Sequence, residues 1–349
     1  MKRKRLIHVA IFAAWFVILN IVLCFLLEPY ASSSSVMWKN YFAKNKNTGV
    51  NMVYVGTSQC ACAFVPGEVD DILDTSSYNM GTNMQSFDSS FAAIKKAVSN
   101  GADKVVLVID HEMLSLDRSD NFRPDASFIH ALNSNVSFWE KIANSYDFMT
   151  DDAFLGTSSS VNFLFPWIYN RKLDIAENVS DKLDALKGKA TYDSDRDCDG
   201  FEYSDEVLES LATVSWEDAD EFSKENDLTK LELSEDNEKT LREISKYCKD
   251  NGAELIAVVV PYPTYITLYD KTSYIEMHEK LDNLFAEYGY TFVDFNLLLN
   301  GSGLESAPGG LDISSYEFAL PDFKDESHLN TSGATKFSKL FAEYLEYIV

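Results

Sequence analysis

The sequence predicts an α/β fold, a doubly wound parallel sheet of five strands. Short apolar segments rich in β-branched residues alternate with longer segments whose apolar residues recur at helical spacing. The strand segments contain few polar positions, as expected when helices cover both faces of a parallel sheet. A long apolar segment near the N-terminus further predicts that a membrane helix precedes this domain.

The first 30 residues differ in composition from the rest of the chain. Four cations, Lys2 to Arg5, precede Leu6 to Leu27, a stretch of 22 residues without Asp, Glu, Lys or Arg. This length spans a bilayer, and the positive-inside bias places the N-terminus in the cytoplasm and the chain after about Tyr30 outside the cell. A cleaved signal peptide is the rival interpretation, but the apolar stretch is longer than the usual core of such a peptide.

Residues 31–50, Ser-rich and then Lys- and Asn-rich, are predicted to be a tether, and residues 51–349 the α/β domain. Strands are predicted at 51–55, 77–80, 104–110, 255–260 and 292–295, and helices at 66–73, 87–99, 238–250, 274–288 and 332–348. Residues 112–237 differ in sequence character from the strand and helix segments on either side, and they are predicted to be an insertion after the third strand. Its aromatic cluster, residues 163–169, is interpreted either as part of a substrate-selecting cap or as the insertion's own core.

Charge and cysteine content narrow the functional classes. Residues 1–30 hold four of the 30 Lys+Arg and one of the 55 Asp+Glu, so 26 cationic and 54 anionic side chains remain in the exported part. This excess of negative charge argues against nucleic acid or an anionic membrane surface as a partner. The four cysteines outside the leader (Cys60, Cys62, Cys198 and Cys248) are predicted to be mostly structural. A domain of this size does not need disulfides, a bridge between Cys60 and Cys62 would be strained, and neither a second Cys-x-x-Cys pair nor a nearby His completes a metal site.

Several chemically active side chains follow the predicted strands. In a doubly wound sheet the carboxyl ends of the strands form one rim, where ligands bind. The candidates on this rim are Ser58 after the first strand, Gly81 after the second, Asp110 and His111 after the third, Pro261 and Tyr262 after the fourth, and Asp325 and His328 after the fifth. The sequence therefore predicts a site at this rim.

Ser58, His328 and Asp325 are the predicted catalytic set. Ser58 lies on a small-residue turn after a strand, where a nucleophile is exposed on a rigid support. Asp325 precedes His328 by three residues, a spacing that lets the carboxylate fix one ring nitrogen while the other accepts the serine proton. His111 is a weaker candidate for substrate contact, and His130 and His278 are interpreted as generic residues, His278 on a solvated helix face.

With these residues in place, the chain resembles the SGNH/GDSL hydrolase superfamily. The resemblance rests on Val55-Gly56-Thr57-Ser58, on the glycine of Tyr78-Asn79-Met80-Gly81, and on the final Asp-x-x-His block, Asp325 to His328. Within the superfamily the chain looks most like membrane-anchored bacterial proteins related to the D-alanine transfer protein of lipoteichoic acid and to alginate O-acetylation proteins.

The resemblance implies that Ser58 is the nucleophile, His328 the base and Asp325 its partner, and that the amides of Ser58 and Gly81 form an oxyanion hole. The chain departs from the family pattern in having Asp110-His111 where the family has an asparagine after the third strand. The third oxyanion donor is therefore open, and Asn83 or Gln85 could supply it from the loop after the second strand.

No cofactor or metal is expected. One motif offers an alternative, since Asp195, Asp197, Asp199 and Glu206 match the ligand positions of an EF-hand calcium loop around Gly200. The other interpretation of this segment is a solvated acidic turn.

The expected function is that of an extracellular, membrane-anchored O-acyltransferase that modifies a cell-surface polysaccharide or teichoic acid. Its expected partners are an acyl donor, the glycan or teichoic-acid acceptor and, by resemblance, a multi-pass membrane acyltransferase. Two alternatives remain open: a carbohydrate esterase or deacetylase of the same fold, and a noncatalytic surface-binding or scaffold module.

Overall fold

A computed structural model describes residues 2–189 and 196–348 and confirms the α/β class with a five-stranded, all-parallel sheet. The strand order is β2-β1-β3-β4-β5. Residues at the centres of neighbouring strands lie opposite each other, as Val53 does with Val105 and Val106 with Ile256. The strands are β1 (Met52–Val55), β2 (Ser77–Asn79), β3 (Lys104–Val108), β4 (Glu254–Val259) and β5 (Thr291–Asp294).

Helices connect these strands and make up most of the remaining structure. In chain order they are α1 (Lys2–Leu27), α2 (Ser33–Thr48), α3 (Ser58–Ala63), α4 (Pro66–Leu73), α5 (Phe87–Ser99), α6 (His111–Leu114), α7 (Phe122–Asn133), α8 (Phe138–Met149), α9 (Ser158–Asn162), α10 (Pro166–Tyr169), α11 (Ile175–Leu186), α12 (Ala219–Glu225), α13 (Glu235–Asp250), α14 (Tyr265–Leu268), α15 (Lys271–Ala286), α16 (Phe295–Leu299) and α17 (Thr331–Ile348).

The described chain divides into two compact units. The helical unit comprises residues 2–36 and 122–189, and the sheet unit comprises residues 37–121 and 196–348. Every strand and every predicted site residue belongs to the sheet unit. Among the described residues, α1 is the one helix that is long and apolar enough to cross a membrane.

The core of the sheet unit follows from the two-residue period of its strands. One face of the sheet, which includes Tyr54, packs against α3, α4 and α17. Tyr54 stacks on Phe64 with ring centroids 4.4 Å apart, and Phe337 and Phe341 of α17 meet Phe64 edge-on. The alternate strand residues are also buried, and α5, α13 and α15 pack against strands of the sheet. Both faces are thus covered, as the apolar strands require.

Within residues 31–50, which the sequence predicts to be a tether, Ser33–Thr48 form a helix. In α2, Met37, Trp38 and Tyr41 are fully buried, at 0% exposure. The Tyr78 hydroxyl donates to the Met37 carbonyl at 2.8 Å, and Tyr41 meets the Tyr78 ring edge-on. The predicted tether thus contains a helix, because three apolar side chains at helical spacing outweigh the polar composition around them.

Residues 112–237, predicted as a single insertion, are shared between the two units. Residues 122–189 lie in the helical unit, and residues 196–237 lie in the sheet unit. Phe163 and Tyr169 of the aromatic cluster are buried, and Phe163 packs on Phe148 with centroids 4.5 Å apart. These two side chains therefore belong to the core formed by the segment's own aromatic residues, the second of the two interpretations of the cluster.

Candidate active site

Ser58 lies on a tight turn between β1 and α3. Gly56 has a φ of +154°, and a Cβ there would lie 2.9 Å from the Cβ of Val108, so both the conformation and the space favour glycine. Thr57 caps α3, accepting a hydrogen bond from the Gln59 amide at 3.2 Å. Ser58 is the first residue of α3, a position whose N–H has no acceptor within the helix.

A second bond ties this turn to the neighbouring strand. The Thr57 hydroxyl donates to Asp110 Oδ2 at 2.7 Å, and Asp110 Oδ1 accepts from the Glu112 amide at 3.0 Å. Burial raises the pKa of Asp110, against the lowering effect of the bond from Thr57. Asp110 therefore connects the ends of β1 and β3 rather than presenting a free amide donor, as an asparagine there would.

Asp325 and His328 lie on a turn closed by an antiparallel bridge between Phe323 and Leu329. Asp325 Oδ1 accepts hydrogen bonds from the amides of Ser327, at 2.8 Å, and His328, at 2.9 Å. The ring Nδ1 of His328 lies 2.8 Å from Asp325 Oδ1 and 3.0 Å from Oδ2. One carboxylate thus holds both the backbone of the turn and the orientation of the imidazole.

The structure brings Ser58, His328 and Asp325 together. His328 Nε2 lies 2.8 Å from Ser58 Oγ, although 270 positions separate the two residues in the chain. With the Nδ1 proton donated to Asp325, Nε2 is left as the acceptor for the serine hydroxyl. Partial burial acts to raise the pKa of Asp325, but the bonds from the His328 ring and the Ser327 amide outweigh it, and the pKa lies below its ordinary value. An ionised Asp325 is the form that can orient and stabilise a protonated imidazole.

Gly81 lies against this turn, but its amide already has a partner. A Cβ at Gly81 would be 2.6 Å from the Ala61 amide nitrogen and 2.9 Å from the Thr57 carbonyl, so only glycine fits beside α3. The Gly81 N–H donates to Asn79 Oδ1 at 3.0 Å. The predicted role of Gly81 as an oxyanion donor would require this bond to be replaced. The predicted role of the Ser58 amide, at the first position of α3, stays a prediction.

Asn79 is a positioning residue that the sequence reasoning missed. Its side chain is fully buried, and its Nδ2 donates to the carbonyls of Cys60, at 2.9 Å, and Phe64, at 3.0 Å. Together with the bond from Gly81, this clamps α3 to the end of β2. A polar residue closing a buried strand was the available sign, because a buried amide must be satisfied by nearby groups.

Replacing Asn79 should destabilise the sheet unit. We expect Asn79→Ala to lower the free energy of unfolding by about 2–4 kcal/mol, because it removes the acceptor of the Gly81 amide and the side-chain donor to the Cys60 and Phe64 carbonyls. Chemical denaturation of the full chain measures this loss. Asn283→Ala, on the exposed face of α15, is the control and should change stability by less than about 0.5 kcal/mol. Equal losses in the two variants would contradict the clamp.

The other two oxyanion candidates differ in their surroundings. Asn83 is exposed, and among the described residues its side chain makes no hydrogen bond to the Ser58, His328 and Asp325 set. Gln85 is buried, accepts from Thr82 Oγ1 at 2.9 Å and donates to Ser90 Oγ at 3.1 Å. Gln85 is therefore engaged in the local loop, and the role of Asn83 stays a prediction.

The calcium-loop alternative falls partly outside the described residues, since Asp195 is not among them. Asp197 Oδ1 accepts from the amides of Asp199, at 2.8 Å, and Phe201, at 3.0 Å, while Asp199 pairs with Lys44 at 3.0 Å. Within residues 2–189 and 196–348, no group of three acidic, histidine or cysteine side chains is placed to hold a metal ion. The described part of the segment instead packs on β2, where the Asn79 amide donates to the Asp199 carbonyl at 2.9 Å.

Two other histidines are buried away from the predicted catalytic set. His111 contacts the Tyr262 hydroxyl through Nδ1 at 2.9 Å, and burial lowers its pKa to about 3, so the ring is neutral. His278, predicted on a solvated helix face, is buried with 9% exposure, and that prediction is wrong. Its Nε2 lies 3.8 Å from Glu305 Oε1. The side of α15 that the sequence pattern placed in solvent is therefore covered at this residue.

Glu305 should make the stability of the sheet unit depend on pH. Burial raises its pKa to about 7 from an ordinary 4.5, so the folded state binds more protons than the unfolded state in that window, and stability falls as pH rises through it. We expect Glu305→Gln to be more stable than the parent at pH 8 by on the order of 1–3 kcal/mol, and similar to it near pH 4.5.

Chemical denaturation at the two pH values measures this difference. The glutamine can still accept from the Asp294 amide, which donates to Glu305 Oε1 at 2.9 Å. Glu279→Gln, an exposed carboxylate on α15, should leave the pH dependence unchanged. If the free energies of unfolding of the parent and of Glu305→Gln differ by the same amount at both pH values, the raised pKa assigned to Glu305 is wrong.

The cysteines form no disulfide in the described part of the chain. Cys60, Cys62 and Cys248 are buried, and Cys198 is exposed. Cys62 Sγ accepts a hydrogen bond at 3.2 Å from Nζ of Lys324, the residue that precedes Asp325. Cys60 and Cys62 therefore pack α3 into the core, in keeping with the structural role expected for them.

No protein-family model matches this chain, and a search of curated proteins finds no match.

Proposed function

We propose that this chain is a serine acyl-transfer enzyme acting on the outer side of the membrane, and specifically an O-acyltransferase for a cell-surface polysaccharide or teichoic acid. The observation that carries the proposal is the Ser58 Oγ to His328 Nε2 distance of 2.8 Å, with Asp325 holding the opposite ring nitrogen. The resemblance to the SGNH/GDSL superfamily at Ser58, Gly81 and the Asp325 to His328 block supports the same assignment.

The proposed reaction has two steps. Ser58 Oγ attacks the carbonyl carbon of an ester or thioester, and His328 Nε2 takes the serine proton and then delivers it to the departing alcohol or thiol. The acceptor hydroxyl next attacks the acyl-serine carbonyl, gives its proton to His328, and Ser58 recovers that proton as the acylated acceptor leaves. The Ser58 N–H at the start of α3 faces the growing negative charge on the carbonyl oxygen.

In this proposal α1 anchors the protein, with residues before Leu6 in the cytoplasm and the sheet unit outside. An anchored enzyme keeps its site near an acceptor polymer at the cell surface and near an acyl donor delivered across the membrane. A multi-pass membrane acyltransferase is the proposed source of that donor, on the strength of the family resemblance. No metal or other cofactor takes part in the proposed steps.

Competition between water and a glycan acceptor tests the transferase assignment. The full chain in detergent is given 4-nitrophenyl acetate with and without a soluble glycan or teichoic-acid acceptor, and both free acetate and acetylated acceptor are measured. We expect the acceptor to become acetylated while acetate release falls. Acetate release that is unaffected by any acceptor would select an esterase, and the absence of all turnover would select the noncatalytic module.

A further inference from the structure

The C-terminal end of α1 is built into the helical unit. The last carbonyls of a helix have no donor within the helix. Here Lys172 N–H donates to the Leu27 carbonyl at 2.7 Å, Asn178 Nδ2 donates to two further carbonyls at 2.9 Å, and Lys182 Nζ donates to two more. The positive charge of Lys182 also suits the negative end of the helix dipole. Residues 172–182 thus hold α1 as an integral element of this unit.

The contact between α1 and the rest of the helical unit continues toward the middle of the helix. Trp167 Nε1 donates to Asn20 Oδ1 at 2.8 Å, and Phe165 meets Phe16 edge-on with centroids 5.7 Å apart. At 1.5 Å per residue, Asn20 lies about 11 Å and Phe16 about 17 Å along the axis from Leu27. Asn20 is a polar side chain within the apolar stretch, and Trp167 donates to its side-chain oxygen.

The part of α1 that lies beyond these contacts is too short to cross a bilayer alone. A hydrocarbon core of about 30 Å needs about 20 helical residues. From Leu6 to Trp15 the helix supplies about 15 Å, half of that thickness. If α1 crosses the membrane, the hydrocarbon core must therefore extend past Phe16 toward Leu27, and it must contain the part of the chain packed beside Phe16 and Asn20.

The part of the chain packed there is suited to lipid. Residues 153–170, the apolar tip, contain no Asp, Glu, Lys, Arg or His, in a chain with 24% Asp, Glu, Lys and Arg. Large exposed side chains in the tip are apolar: Leu155 is 58% exposed, Val161 56% and Leu164 50%. Exposed apolar side chains on a stretch without charged residues form a surface that lipid acyl chains can cover.

The backbone at the aromatic end of the apolar tip, residues 163–170, has amides paired within the tip, which suits a lipid environment where unpaired polar groups are costly. Amides along its aromatic end donate to carbonyls within the tip, and Pro166 has no N–H to satisfy; the donors are Phe163, Leu164, Phe165, Ile168 and Asn170. The Thr157 and Ser160 hydroxyls donate to the carbonyls of Phe154 and Met149.

We propose that residues 153–170 are embedded in the bilayer beside the C-terminal half of α1, with lipid acyl chains covering Leu155, Val161 and Leu164. The helical unit would then be a membrane-inserted structure with two points of attachment, the spanning helix and the tip. This inference rests on the anchoring role proposed for α1 and does not depend on the chemistry at Ser58.

Site-directed spin labelling of the full chain in phosphatidylcholine and phosphatidylglycerol vesicles tests the proposal. Leu164→Cys carries the label, in a background without Cys24 and Cys198, the two cysteines that are not buried. Phe12→Cys, at a position 73% exposed on α1, is the lipid reference. Lys187→Cys, whose side chain is 63% exposed in the same unit, is the aqueous control. Collision rates with oxygen and with a neutral nickel chelate are measured by electron paramagnetic resonance.

We expect the ratio of oxygen to nickel collisions at position 164 to be several-fold above that at 187 and close to that at 12. A ratio at 164 like that at 187 overturns the proposal, because the tip then faces water. Exclusion of both reagents at 164 also overturns it, since a second copy of the chain then covers the tip. A ratio at 12 like that at 187 removes the anchor and the proposal with it. Ester turnover plays no part in any of these outcomes.

Discussion

Ser58→Ala is expected to abolish ester turnover by the full chain, with a loss of roughly 10³- to 10⁶-fold in kcat. The substitution removes the one oxygen that lies 2.8 Å from His328 Nε2, and with it the site of acylation. Folding should be unaffected, because Ser58 Oγ is bonded only to His328 among the described residues and the alanine keeps the amide at the start of α3. Hydrolysis of 4-nitrophenyl acetate, with circular dichroism to verify folding, measures the effect.

Ser99→Ala is the matched control for this variant. Ser99 is exposed at the end of α5, and its hydroxyl donates to the Lys96 carbonyl. It should retain the parent rate. A folded Ser58→Ala protein with the parent rate would show that turnover arises elsewhere on the chain.

Asp325→Asn is expected to reduce turnover by about 10⁴-fold while leaving the turn intact. The amide oxygen can still accept from the Ser327 and His328 amides. The amide nitrogen, however, faces His328 Nδ1 and favours the tautomer with its proton on Nε2, which then cannot accept the proton of Ser58. Steady-state kinetics on the same ester measure the loss.

Glu326→Gln provides a comparison one residue away, since its side chain is exposed and lies outside the hydrogen-bonded set. This variant should stay within about threefold of the parent, as surface changes usually do. If Asp325→Asn also stays within threefold, Asp325 orients nothing that the reaction needs, and the acid–base assignment is wrong.

Local signals explain how well the sequence predicts the sheet unit. Helices α4 and α5 have their predicted bounds because Pro66 marks the first turn of one, and Ser86 and Asn100 cap the other. Helix α13 begins three residues before its predicted start because Ser234 accepts from the Asn237 amide, a capping signal that apolar periodicity does not register. Helix α2 was missed because its burial depends on Tyr78, which lies on a distant strand.

The same distinction applies to the site. The Asp325 and His328 pair is local in sequence, so its spacing predicts their contact. The contact of His328 with Ser58 depends on the parallel arrangement of the strands, which the alternation of strands and helices predicts. The engagement of the Gly81 amide by Asn79 and the contact between Thr57 and Asp110 depend on side-chain packing between strands. Such contacts leave no periodic pattern, so the surroundings of Gly81 were predicted less well than the contact between His328 and Ser58.

The central claim is that Ser58 is a nucleophile activated by His328, and mapping a fluorophosphonate adduct on the folded full-length protein tests it most directly. The probe reacts far faster with a serine whose hydroxyl an adjacent base has activated than with an ordinary serine. We predict one adduct per chain, located on Ser58 by peptide mass spectrometry and absent from Ser58→Ala. A folded protein that forms no adduct, or one on another serine, would contradict the claim.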